Sequence, residues 1–187
     1  MPTVFSHAAI PLALAAGLGR QAVGPRLLAA GVLASVLPDL DVLAFRLGIA
    51  YSHALGHRGF SHSLAFAALL ALLAAIAAPW LRSRRGVAAL FVGTAAASHA
   101  LLDMLTDGGL GVALWWPWSD QRWFAPWRVI EVSPIGLRRL LGPRGLEVLL
   151  SELQWIWLPA LGLAAGLAAA RRCCGQRGSA PDTPPAG

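Results

Sequence analysis

Seven residues in four separate stretches are of the types that hold a divalent metal ion: His7; Asp39 and Asp41; His57 and His62; His99 and Asp103. Imidazole nitrogen combined with carboxylate oxygen suits zinc, manganese or iron, and a catalytic site keeps one coordination position open for water. Zinc is the expected ion. The two cysteines, Cys173 and Cys174, are adjacent near the C-terminus and fit neither a thiolate zinc spacing nor a disulfide framework.

Spacing sharpens this reading. His99 and Asp103 are four residues apart, so on a helix they share a face and can act together as two ligands or as ligand and orienter. Asp39 and Asp41 would diverge on a helix; both can point inward only from an extended or turning backbone, which Pro38 favours. The expected metal ligands are therefore His7, Asp39, His57, His62, His99 and Asp103. Asp39 or Asp41 would serve as general base, and Arg58 would offer its planar fork to a phosphate. Plainer roles exist for several of these: Asp39 as a helix cap, His57 as a loop histidine, His62 and Ser61 as caps of the next helix. Packing calls for neither His99 nor Asp103 where they stand. Asp107 reads as a turn residue, and His53 and Asp120 as surface residues. The stretch Gly59-Phe60-Ser61-His62-Ser63 begins like a nucleophile elbow but lacks the second glycine and follows no strand signal.

These side chains must be positioned by apolar elements. The chain of 187 residues is 57% hydrophobic and only 13% charged, against about 25% charge in soluble domains. It cannot give itself a water-compatible surface, and the lipid bilayer is its expected surrounding. Apolar runs cover Val4–Leu18, Leu27–Leu37, Leu64–Leu81, Val87–Leu105 and Leu153–Ala170. The last three approach the ~20 residues of a spanning helix, and the first two are shorter. Pro38 is expected to end the second. The fold expected is an all-α, multi-pass helical membrane bundle of four to five membrane helices. Residues 1–172 would form one domain and 173–187 a disordered tail.

If successive runs alternate in direction, the start of the first, the end of the second, the start of the third and the end of the fourth lie at one membrane face. The four metal-type stretches lie at those four ends. Convergence thus follows from topology alone. All fifteen basic residues are arginines; those at 20, 26, 82, 84, 85, 171, 172 and 177 fall on the other face. By the positive-inside rule that face is cytoplasmic, which puts the His/Asp set on the periplasmic side. Five arginines in the loop 107–152 leave the reverse orientation open. The arginines form no stripe with interleaved aromatics, so nucleic acid is not an expected partner.

The loop 107–152 carries Trp115, Trp116, Trp118, Trp123 and Trp127, the composition of an interfacial aromatic belt or of a lip contacting an amphipathic substrate. Gly162 and Gly166 have a GxxxG spacing that can pair helices.

Ser6-His7, Pro38-Asp-Leu-Asp, His57-Arg-Gly-Phe-Ser-His62 and Ser98-His99-x-x-x-Asp103 resemble the YdjM family of bacterial inner-membrane proteins. The resemblance extends to the Trp-Pro-Trp stretch 116–118 and to Ser133-Pro134-Ile135-Gly136. It implies a metal-dependent hydrolase of the inner membrane, and Arg58 as a phosphate partner points to a phosphoester or lipid substrate. There is a more distant similarity to helical zinc-dependent phospholipase C and P1-type nucleases, although no Glu stands in this set. A non-catalytic metal-binding scaffold or a transport component is the alternative. Transport fits less well, because the ionisable residues gather at one face and form no path through the bilayer.

Overall fold

A computed structural model of the chain describes residues 1–133 and 142–177. The architecture is all-α, a helical membrane bundle. Helices α1 (Val4–His7) and α2 (Ala9–Leu18) lead to α3 (Pro25–Val36), and α4 (Leu64–Ile76) to α5 (Arg85–Met104). After the loop come α6 (Pro143–Glu152) and α7 (Leu158–Arg177), joined without a break by a π-helical turn at Leu153–Trp157. Three continuous stretches are long and apolar enough to cross a membrane: Pro25–Leu47, Arg85–Met104 and Pro143–Cys174. Val4–Leu18 and Leu64–Ile76 are shorter apolar helices.

Local chemistry sets the boundaries. Pro25 opens α3, where its missing N–H costs nothing. The Ser63 hydroxyl caps α4 by accepting from the Phe66 amide at 3.1 Å. Helix α4 stops at Ile76, short of the expected Leu81, because Pro79 supplies no amide to continue the ladder.

Helix α5 is central. Ala88, Phe91, Val92, Ala95, Ala96, His99 and Asp103 make one buried stripe along it, packed on α3 and α4. The core is built from small residues, while large ones such as Leu72, Leu90 and Leu161 face outward. This is the arrangement expected in lipid, where close backbone approach holds helices together. A Cβ on Gly31 would lie 2.3 Å from the Phe91 ring, and one on Gly17 would lie 2.6 Å from Leu167 Cβ. Those glycines let α3 meet α5 and α2 meet α7. Gly162 and Gly166, by contrast, have nothing within 4 Å, so their spacing pairs no helices within the described chain.

One expectation is refined and two need correction. The second α-helix does end beside Pro38, at Val36, but the chain runs on directly as a 3-10 helix, Leu37–Leu47, with Pro38 tolerated in its first turn. Residues 143–152 are helical rather than part of the Trp-rich loop. Cys173 and Cys174 lie within α7, which reaches Arg177; the rest of the expected tail, 178–187, lies outside the described residues, as do Pro134–Gly136.

Candidate metal centre

Four chain ends meet at one end of the bundle. They are α1, the 3-10 extension of α3, the 3-10 turn Phe60–His62 before α4, and the last turn of α5. His7, Asp39, His62, His99 and Asp103 are all buried there, the least so being Asp39 at 4% exposure. Ligand atoms of Asp39, His62, His99 and Asp103 lie within 4.8 Å of one another. The His62 and His99 Nε2 atoms are 2.9 Å apart. His62 Nε2 is 3.3 Å from Asp103 Oδ2, and His99 Nε2 is 3.5 Å from Asp39 Oδ1. His7 stacks on His99 at 3.7 Å and sets its Nε2 at 3.6 Å from Asp39 and 3.7 Å from Asp103.

These separations fit a single ion. Donors placed tetrahedrally about 2.0–2.2 Å from a metal stand roughly 3.3–3.6 Å from one another. The remaining bonds fix which nitrogen faces inward. His99 Nδ1 lies 2.7 Å from the Ser35 carbonyl oxygen, to which it can only donate, leaving Nε2 as a lone-pair site. His62 Nδ1 lies 3.1 Å from Asp41 Oδ2, a carboxylate–histidine pair of the kind that orients metal ligands.

Unpaired atoms mark the same spot. Among the described residues, the buried side-chain nitrogens and oxygens lacking a hydrogen-bond partner belong to His7, Asp39, Arg58 and Asp103. Both oxygens of Asp39 and both of Asp103 are among them. Buried carboxylates without hydrogen-bond partners are costly, so this cluster suits a cation. The buried His/Asp group can hold a metal ion.

Asp41 points elsewhere. On a 3-10 helix of three residues per turn, positions two apart diverge, so Asp39 enters the cluster and Asp41 faces its outer side. The expectation that both aim inward from a turning backbone is thereby corrected. Asp41 accepts from His57 Nδ1 at 2.5 Å, Ser61 Oγ at 2.7 Å and the Arg58 amide at 3.0 Å, besides its contact with His62. His57 stands apart from the inner donors, in a second group with Asp41 and His62 whose ligand atoms also lie close enough together to hold a metal ion. Ser61 sits on a buried 3-10 turn and not on a strand-to-helix elbow.

Arg58 is fully buried with φ at 62°. Its fork donates to the Gly108 carbonyl at 2.9 Å and to Thr106 Oγ1 at 2.8 Å, and Nε lies 2.9 Å from Asp103 Oδ2, close enough for charge pairing. A side chain expected to reach for phosphate is thus turned onto protein partners. The loop holds the segment further: Ala113 donates to the Arg58 carbonyl, and Arg122 donates to the carbonyls of Tyr51, His53 and His57. Gly109, at φ 91°, lets the backbone pass close to Tyr51 and Arg58. Exposed Trp118 and Trp127 lie on the outside of this loop. A cleft of about 170 Å³ reaches inward to Tyr51, His57, Arg58 and Gly109.

Burial alone would depress the His62 imidazole, but its bonds to Asp103 and Asp41 outweigh it and raise the group to about 9. Burial likewise raises the Tyr51 phenol, against the pull of Arg58.

One buried acid was not anticipated. Glu152, at the end of α6, is 1% exposed and accepts from the Thr3 amide, from Thr3 Oγ1 at 2.6 Å and from Ser6 Oγ at 2.7 Å. Ser6 also accepts from Trp157 Nε1 at 3.0 Å. The network anchors the turn that carries His7. His53 and Asp120 are exposed as expected, and the exposed Asp107 accepts from the Val132 amide in the loop.

The profile of the family described as YdjM inner membrane protein matches residues 1–175. The chain belongs to the YdjM family. It is 50% identical over 162 residues to the inner membrane protein YbcI of Escherichia coli (strain K12), an alignment covering 86% of this chain and 94% of that protein. No solved structure matches it. Membership agrees with the apolar helices and places this YdjM-family chain in the inner membrane, embedded in the lipid bilayer.

Proposed function

We propose that this YdjM-family protein is a membrane-bound metal-dependent hydrolase whose centre is held by His62, His99, Asp39 and Asp103, with His7 completing the shell. The observation that carries this reading is the convergence of the Asp39 and Asp103 carboxylates and the His62 and His99 imidazoles, whose ligand atoms lie within 4.8 Å of one another in the buried interior. Zinc suits the donors, and manganese or iron would accept the same oxygen-rich set. A divalent ion there supplies Lewis acidity, lowering the pKa of water toward ~7 and polarising a scissile ester or phosphoester.

The protein's own groups then divide the work. Ser35 and Asp41 hold the two imidazoles with Nε2 inward. Arg58 pins Asp103 through Nε. Asp41, expected as a base, is already filled with four donors and acts as a positioning residue, so the base falls to Asp39. His57 supports Asp41 in place of binding the ion. The cleft at Tyr51 and Gly109 is the route by which a lipid or phosphoester head would approach, from the periplasmic side if the arginine turns mark the cytoplasm.

One observation favours a second reading. The donor atoms are fully buried, and the cleft reaches Arg58 and His57 but none of the four inner ligands. An ion clamping four chain ends without turnover, as in a non-catalytic scaffold, fits that enclosure. The deciding experiment is hydrolysis of soluble phosphoesters, carboxylic esters and phospholipids by purified, metal-loaded protein in detergent. Turnover that is lost on chelation and restored by adding back the divalent ion supports the hydrolase. No turnover on any substrate class, with metal bound and required for folding, supports the clamp.

A further inference from the structure

The opposite end of the bundle carries a second built feature, independent of the metal centre. The turn after α2, the turn between α4 and α5, and the start of α5 border an open pocket of about 620 Å³ whose arginines are exposed. Arg20, Gln21, Pro79, Arg82, Ser83 and Arg84 line it. None of the nine acids of the chain falls between residues 1 and 38 or between 42 and 102. None of these three arginines takes part in an ion pair among the described residues. The pocket is therefore a concentration of positive charge with no counter-ion among the described residues.

Its shape is held by specific contacts. Arg26, the neighbouring arginine, is used structurally: its NH1 donates to the Trp80 carbonyl at 2.9 Å, and its guanidinium lies 5.8 Å from the Trp80 ring centroid. That bond ties the start of α3 to the α4–α5 turn. Arg82 keeps φ at 53°, a left-handed backbone that non-glycine residues rarely adopt. Hydrogen bonds from Arg82 N to Pro79 O and from Ser83 N to Ala78 O hold it there. Such strain persists only where surrounding structure enforces it.

We propose that this pocket binds the phosphate of an anionic phospholipid head group. Guanidinium forks match phosphate oxygens in a bidentate way that a point charge does not. Basic pockets between membrane helices at this depth recognise acidic lipid heads. Trp80, which follows the lining residue Pro79 in the chain and is 69% exposed, is a side chain of the type found at the bilayer–water boundary. The pocket thus opens at head-group level, with Pro79 and Val87 as apolar wall. A soluble phosphate would satisfy the arginines but leave that apolar wall unused.

The test uses the full chain in neutral detergent, titrated with phosphatidylglycerol or phosphatidylcholine and read by native mass spectrometry. Preferential retention of phosphatidylglycerol is expected. It should weaken about tenfold or more in Arg82→Gly/Arg84→Gln, which removes two of the three guanidinium groups that would hold the phosphate. Glycine tolerates the left-handed backbone at position 82, so the variant keeps its fold, as circular dichroism would verify. Arg46→Gln, at the other end of the bundle, should leave retention unchanged. Equal retention of the two lipids, or unchanged retention in the double variant, overturns the proposal. Displacement of phosphatidylglycerol by millimolar inorganic phosphate assigns the pocket to a soluble anion and overturns the lipid assignment.

Discussion

The Nε2 atoms of His62 and His99 face each other at 2.9 Å in a space sealed from solvent. Each ring commits its Nδ1 to an acceptor, His99 to the Ser35 carbonyl and His62 to Asp41. Two bare lone pairs at that separation repel unless a cation stands beside them. A proton on His62 meets the need in the metal-free protein; a divalent ion meets it better, because it also satisfies Asp39 and Asp103.

Metal binding should therefore release a proton. His62 is raised from 6.5 to about 9 by its carboxylate partners. The stabilisation this gives the metal-free protein is complete below about pH 6.5 and is lost as pH rises through about 9. Metal competes with that proton, so apparent affinity should climb between pH 6.5 and 9 and level off above. Chelator competition across this range checks it; affinity that is flat with pH would mean His62 is not a ligand.

Asp41→Asn should weaken metal binding about 10–100-fold without abolishing it, as loss of an orienting partner does. His62→Ala should abolish it. Equal loss in the two variants would make Asp41 a ligand, and no loss in Asp41→Asn would remove its positioning role.

The site was legible in the sequence where topology did the work. His7, Asp39, His62, His99 and Asp103 fall at the ends of apolar runs that alternate, so their meeting follows from chain direction. What was hidden depends on local helix geometry. Nothing in Pro38-Asp39-Leu40-Asp41 announces that α3 continues as a 3-10 helix, and only that continuation separates Asp39 from Asp41. Glu152 was hidden for another reason: it lies more than a hundred residues from Thr3 and Ser6, in a stretch whose leucines alternate with loop-like polar residues. Its amphipathic spacing, with Val148 and Glu152 buried four apart, was the available signal. Arg58 resembled a phosphate ligand by type; its partners Thr106 and Gly108 come from a loop that sequence could not fold.

Glu152→Ala should destabilise the protein by ~1–3 kcal/mol for each buried donor left unpaired at Thr3 and Ser6. Glu152→Gln should recover part of this. Because the network anchors the turn bearing His7, metal affinity should fall along with thermal stability. Thermal unfolding in detergent that matches the native protein would show the network to be dispensable.

Ser63→Ala removes the α4 cap and should cost about 1 kcal/mol. Its effect on metal affinity should be small, since Ser63 contacts Phe60 and Phe66 and none of the ligands. A large affinity loss with unchanged stability would contradict the division between capping and ligation.

The most direct test is elemental analysis of the protein purified without added chelator, alongside His62→Ala, His99→Ala, Asp103→Ala and the surface control His53→Ala. The native protein and His53→Ala should carry a divalent metal in equal, near-stoichiometric amount, and the three cluster variants should carry little or none. Metal content unchanged across all three, or absent from native protein that remains folded after incubation with zinc, manganese and iron, would contradict the metal centre.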